Sequence, residues 1–217
     1  KPHAMRESVG RIIETLRSVR KQKKIFLFLI AFFFFIDGVY TIIDMATAYG
    51  SALGLDSTGL LLALLVTQFV AFPFSILFGR LAEKYDTGKL ILTCIAAYTG
   101  ITVFAVFMKA QWQFWVLAIF VGMFQGGIQA LSRSYFAKIV PPERSGEYFG
   151  LMDICGKGAS FMGTTVVGLA SQAFGSINIG VSAIVFLFLA GALFFMKTEH
   201  SGSESMKNQE NVIMEQQ

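Results

Sequence analysis

Cysteine, histidine and proline are scarce in this sequence: two, two and four residues among 217. Cys94 and Cys155 both sit in apolar runs, while His3 and His200 lie in polar stretches, so a disulfide scaffold and a zinc site are excluded. The sequence also lacks HExxH, paired CxxC, a phosphate-binding glycine loop and a nucleophile elbow, so no metal, no cofactor and no soluble-enzyme chemistry is expected. Charge is short as well. Only 15% of residues are charged against 54% hydrophobic, with 23 Phe and a mean hydropathy of +0.61. That balance is too apolar for a soluble domain of this length.

What is present is a series of long apolar runs, at about 25–48, 60–79, 89–108, 112–131, 147–170 and 177–196. About 20 residues of helix cross the ~30 Å hydrocarbon layer of a bilayer. A transmembrane barrel would instead show alternating segments of about ten residues. Runs such as KIFLFLIAFFFFI and AIVFLFLAGALFF are apolar on every face. The expected fold class is therefore all-α: an integral membrane bundle of six helices in the lipid bilayer. Residues 1–24 hold eight Lys and Arg, the 80–89 and 132–146 connections three each and the tail from Lys197 two, whereas the opposite side holds Lys109 alone. The positive-inside rule then puts both termini in the cytoplasm. The net charge of +4 reads as anchoring at that face, since the basic residues border spans and lack interleaved aromatics; nucleic acid is not an expected partner.

Residues 1–24 are expected to form an amphipathic linker helix on the cytoplasmic surface, with Val9, Ile12, Ile13, Leu16 and Val19 near one face and Arg and Lys around the rest. The chain begins at Lys1, which points to a longer polypeptide. Residues 198–217, rich in Ser, Glu, Gln and Asn, are expected to be a disordered cytoplasmic tail.

Polar residues inside a bilayer are costly, so their placement points to function. The first run carries Asp37, Thr41 and Asp44; the second Thr67, Gln68 and Ser75 beside Pro73; the fourth Gln125 and Gln129; the fifth Asp153 and Lys157. The third and sixth carry nothing of that strength. Four helices should therefore surround something polar, and the pattern repeats at a period of three, as in secondary transporters built from inverted repeats. Asp37, Thr41 and Asp44 share a helical face, with the two carboxylates about 10 Å apart along the axis. Asp153 and Lys157, four apart, suit a local ion pair; Lys157 also suits a pair with Asp37 across helices near the midplane. Gly122 and Gly126 form a GxxxG step whose first meaning is close helix packing.

Two stretches carry a family resemblance. GRLAEKYDTGK at 79–89 resembles the cytoplasmic signature loop of the major facilitator superfamily, through Gly79, Leu81, Ala82, Glu83 and Lys84. It departs from the pattern at Glu83, where Asp is usual, at Asp86, where Gly is expected, and at Gly88, set late before a single Lys89. GGIQALSRSYFAKIVPPERSGEYFGLMDICGK at 126–157 resembles the equivalent segment of the vacuole-effluxer-like branch, also called the unknown major facilitator family, bacterial relatives of fungal vacuolar amino-acid exporters. The resemblance covers the chain to about residue 197 and implies the C-terminal six-helix half of a twelve-helix transporter. It further implies a missing N-terminal half as partner, alternating access with ion or proton coupling, a small solute with amino acids among the classes allowed, and a place in the bacterial inner or plasma membrane. Gly79, Glu83, Lys84, Arg133, Glu143 and Arg144 would form a cytoplasmic gate. An autonomous channel or self-associating scaffold is the alternative, although the sequence lacks an NPA pair, a TVGYG-like filter and an Arg-rich sensor. An intramembrane enzyme has no intramembrane His to work with. The six-helix piece alone is expected to self-associate, with Asp37 and Gln129 near the contact.

Overall fold

The computed structural model describes the backbone of residues 14–52 and 54–215, with side chains described through residue 201. Residues 14–21, helical and here called α1, precede α2 (Lys23–Ala52), α3 (Ser57–Lys84), α4 (Thr87–Val106), α5 (Gln111–Ile139), a 3₁₀ turn Pro142–Arg144, α6 (Ser145–Phe174) and α7 (Ile177–Glu215). No strand occurs among the described residues, and the protein is an all-α membrane bundle. Val9, Ile12 and Ile13 of the linker's expected apolar face lie outside the described residues.

The helices run past the apolar windows that mark them because polar end residues extend an existing helix without paying for a new nucleus. The same reason overturns the disordered tail: α7 continues through Glu215, and its Ser, Glu, Lys and Gln residues prolong a helix already started in the apolar segment. Among the described residues five helices are long and apolar enough to cross a membrane, namely α2, α3, α4, α5 and residues 177–201 of α7. The 30-residue α6 matches them in length but carries Glu147, Asp153 and Lys157.

Local chemistry sets the breaks. Asp56 caps α3 by accepting from the Gly59 N–H at 2.7 Å, and Asp86 caps α4 by accepting from the Lys89 N–H at 3.0 Å. Asp86 thus has a reason to replace glycine in the 79–89 loop: the break between α3 and α4 is only Tyr85 and Asp86, and the second must start a helix. Gly88 follows for a steric reason, since a Cβ there would stand 3.0 Å from the Glu199 carboxyl carbon. Gly175, at φ 65°, ends α6 in the left-handed conformation that glycine adopts without cost.

Packing has a near-symmetric plan. α2 packs on α6 and α7, α5 packs on α3 and α4, and α4 packs on α7. Exchanging the first three long helices with the last three reproduces these pairings. It fails most clearly where α6 packs on α7, whereas α3 and α4 barely touch among the described residues. The α3–α5 contact is made close by glycine. Cβ atoms at Gly122 and Gly126 would each come within 2.6 Å of a backbone carbonyl of α3, that of Thr67 or Ala71, so the GxxxG step is a packing surface. Thr67 reinforces it by donating to the Ala118 carbonyl at 3.2 Å. At one end of the core Phe28 stacks on Tyr135 and Phe136, and Phe195 meets Phe28 edge-on and Tyr135 at a tilt. At the other end Tyr49 donates to the Ala105 carbonyl at 2.6 Å and meets Asn178 at 3.0 Å, tying α2 to α4 and α7. In contrast, α3 buries little beyond its α5 face, and Phe69 and Phe72 are 77% and 71% exposed.

Candidate functional site

A cavity of about 210 Å³ opens between α2, α5 and α6. α2 contributes Phe32, Ile36 and Tyr40, α5 contributes Gln129 and Arg133, and α6 contributes Met152, Asp153, Gly156 and Lys157. The α6 residues recur at helical spacing, so one face of that helix presents Asp153, Gly156 and Lys157 together. Gly156 keeps the space open, with its missing side chain toward Phe32 and Tyr40. The other large pockets are lined by apolar residues alone or nearly so; this one is not.

Arg133 donates to Asp153 Oδ1 at 2.7 Å and joins α5 to α6 across the cavity. Both side chains are about half exposed, so the pair contributes at most about 1 kcal/mol to stability. Its interest is positional, since it links two helices that otherwise scarcely pack. Lys157 makes no ion pair with either Asp153 or Asp37 among the described residues. The expected pairing partner of Asp153 is therefore replaced: Arg133, with its longer planar donor group, reaches the carboxylate first.

Behind this lining, α2 and α6 share a seam of acids. Asp37 is fully buried, and its Oδ1 accepts the backbone N–H of Gly163 at 2.8 Å and the Thr41 hydroxyl at 3.4 Å. Its Oδ2 has no partner among the described residues. Gly163 has to be glycine, because a Cβ there would overlap Thr41 Oγ1 and Asp37 Oδ1. Two turns further along α2, Asp44 Oδ2 accepts from Ser160 at 2.8 Å. Asp37 and Asp44 are thus both fastened to α6.

The remaining expected residues stand apart. Gln68 is exposed on α3 and Gln125 is half-buried on α5 with an unpartnered Oε1; neither lines the cavity. Gly79, Glu83, Lys84 and Glu143 are exposed near helix ends, and none of the three charged ones forms an ion pair among the described residues. Arg133 lines the cavity. Arg144 pairs with Glu147 at 2.7 Å and lies 3.4 Å from Thr15 Oγ1, and the bonded carboxylate holds its guanidinium above the usual value.

Helix ends are tied by residues that sequence reasoning missed. Tyr135 donates to Glu199, Lys138 donates to Thr87 at 2.9 Å, and Lys24 stands over the Tyr135 ring. Tyr40 and Ser160 were also missed in the site itself. Their signal was spacing: Tyr40 lies three residues after Asp37 and Ser160 three after Lys157.

The comparisons with known proteins agree with this architecture. The chain is 43% identical over 210 residues to an "Uncharacterized MFS-type transporter", YxiO, of Bacillus subtilis, covering 97% of this chain and 49% of that protein. It is 27% identical over 201 residues to Autophagy-related protein 22-2 of Aspergillus clavatus, covering 84% of this chain and 32% of the relative. Autophagy-related protein 22 of Cryptococcus neoformans matches at 26% over 198 residues, 83% of this chain and 35% of its own length. The chain therefore spans about half the length of the bacterial relative and about a third of the fungal ones. The family model described as "Vacuole effluxer Atg22 like" matches residues 2–207, and the chain belongs to that family.

Proposed function

We propose that this chain is the C-terminal half of a secondary transporter that moves a small solute across the membrane by alternating access, and that it is not an enzyme. The observation that carries the reading is the polar cavity of Gln129, Arg133, Asp153 and Lys157 inside an otherwise apolar bundle, because charged groups at membrane depth are retained for work on polar cargo or ions. Three further facts support it. The bacterial relative bears the name of an MFS-type transporter and is about twice as long. The packing plan is close to a three-plus-three repeat. The faces of α3 and α6 that turn away from the bundle expose large side chains, Phe72 and Phe161 among them, which suits a second, N-terminal six-helix half. In this reading six helices span the cell membrane and both termini face the cytoplasm.

The mechanism follows from the bonds between helices. Opening the Arg133–Asp153 bridge frees α6 from α5, and solute that offers its own charge to Lys157, Arg133 or Asp153 competes with that bridge. Asp37 is the coupling group. A proton taken at its free Oδ2 neutralises the buried charge while Oδ1 still accepts from Gly163, so loading costs no existing bond along the α2–α6 seam. The test is solute counterflow in proteoliposomes holding the full polypeptide. Saturable exchange that falls by up to about fivefold in both Arg133→Gln and Asp153→Asn supports the reading, as expected when a half-exposed ion pair of at most about 1 kcal/mol is lost. Unsaturable conductance would favour a channel, and no flux of any kind would favour a scaffold.

A further inference from the structure

Near the inner end of α2 lies a second opening, separate from the polar cavity. It is a groove of about 290 Å³ between α1, α2 and α6, lined by Leu16, Val19, Phe26, Leu29, Phe33 and Leu151 among others. Leu16 and Phe26 at its mouth are 47% and 40% exposed. From Phe26 to Phe33 the groove follows α2 for about 10 Å, the depth reached by the first carbons of an acyl chain below its headgroup.

The wall made by α1 is fixed in place. Thr15 donates to Glu147 at 2.9 Å, Ser18 lies 3.2 Å from the Tyr148 hydroxyl, and Gln22 donates to that same hydroxyl at 2.9 Å. The first turns of α6 thus hold α1 from below while Val19 is buried against the bundle. The opposite side of α1 is strongly basic. Arg17, Arg20, Lys21 and Lys23 are exposed and make no ion pair or side-chain hydrogen bond among the described residues. Lys24 is engaged with the Tyr135 ring, and Glu14 is the one acid between residues 14 and 24. In sequence these cations interleave with the groove residues Leu16, Val19 and Phe26.

We propose that this groove binds one anionic phospholipid, with an acyl chain along Phe26, Leu29 and Phe33 and the headgroup phosphate among Arg17, Arg20 and Lys23. Apolar lining alone accepts any lipid; four unpaired cations beside it select a negative headgroup. The lipid would brace α1 against α6, the helix that carries Asp153 and Lys157, so membrane composition would set how freely that helix moves.

The test uses the full polypeptide with Phe26→Trp, reconstituted in vesicles with brominated phosphatidylglycerol or brominated phosphatidylcholine. The signal is quenching of the introduced indole, taken as the difference from the same protein without Phe26→Trp. The expected result is half-maximal quenching at an about tenfold lower mole fraction of phosphatidylglycerol, with the two lipids made equal by the combined variant Arg17→Gln, Arg20→Gln, Lys23→Gln. Excess inorganic phosphate should leave the preference in place. Equal quenching by both lipids before the cations are removed would overturn the proposal, as would a preference that survives their removal. Loss of the preference on adding phosphate would mean a simple anion site, and no quenching by either lipid would mean that protein covers the groove; either result also overturns it.

Discussion

Asp37 and Gly163 show how far one contact can constrain a sequence. A carboxylate at full burial is tolerated when it finds a donor, and the donor is a backbone N–H that only a residue without a side chain leaves reachable. Gly163→Ala should therefore destabilise the protein by roughly 1–3 kcal/mol through overpacking. Gly158→Ala, five residues earlier on the same helix and facing open space, should instead gain up to about 1 kcal/mol from helix propensity. Thermal unfolding in detergent distinguishes the two, and equal effects would contradict the close α2–α6 approach. Asp37→Asn keeps the acceptor and the shape but removes the titratable group. Solute exchange should persist in that variant while accumulation driven by a proton gradient is lost; accumulation at the level of the unsubstituted protein would exclude Asp37 as the coupling group.

The bundle depends on a few close helix approaches, and the α3–α5 pair is the clearest. Because Gly126 meets the Ala71 carbonyl and Ser75, Gly126→Leu should force α3 off α5. The expected cost is roughly 1–3 kcal/mol, seen as a lower midpoint in denaturant unfolding. Much of this level was legible in the sequence. Apolar run length gave the helices and the GxxxG step had its usual meaning, whereas the caps Asp56 and Asp86 emerged only in the structure. Pairings between distant side chains were harder to read. Asp153 was expected to pair with Lys157 one turn away, whereas Arg133, twenty residues back on α5, reaches it across the cavity. The tail was misread because composition reports whether a segment can fold by itself, whereas residues 198–215 extend a helix that is already formed. Glu199 shows the consequence, since it reaches both Tyr135 and the start of α4.

On the scale of the whole molecule the bundle is lopsided. Its core is well filled around α2, yet α3 and α6 leave large apolar side chains uncovered, and the polar cavity lies between α2, α5 and α6. In a second half docked on those faces, residues near Phe69, Phe72 and Phe161 should cross-link to it. A cysteine at Phe72 is expected to form such links in the full polypeptide, with links between two copies of this bundle as the contrary outcome. The central claim is that the cavity opens alternately to the two sides of the membrane. The direct measurement is the rate at which a membrane-impermeant thiol reagent reaches Gly156→Cys from each side, with Cys94 and Cys155 replaced by Ala. A Cβ at Gly156 would stand 3.5 Å from Phe32, an ordinary contact, so the probe fits the site. The account predicts reaction from both sides, with the two rates shifting in opposite directions when Asp153→Asn breaks the bridge to Arg133. Rates that rise together on both sides, or a site that neither side reaches, would contradict it.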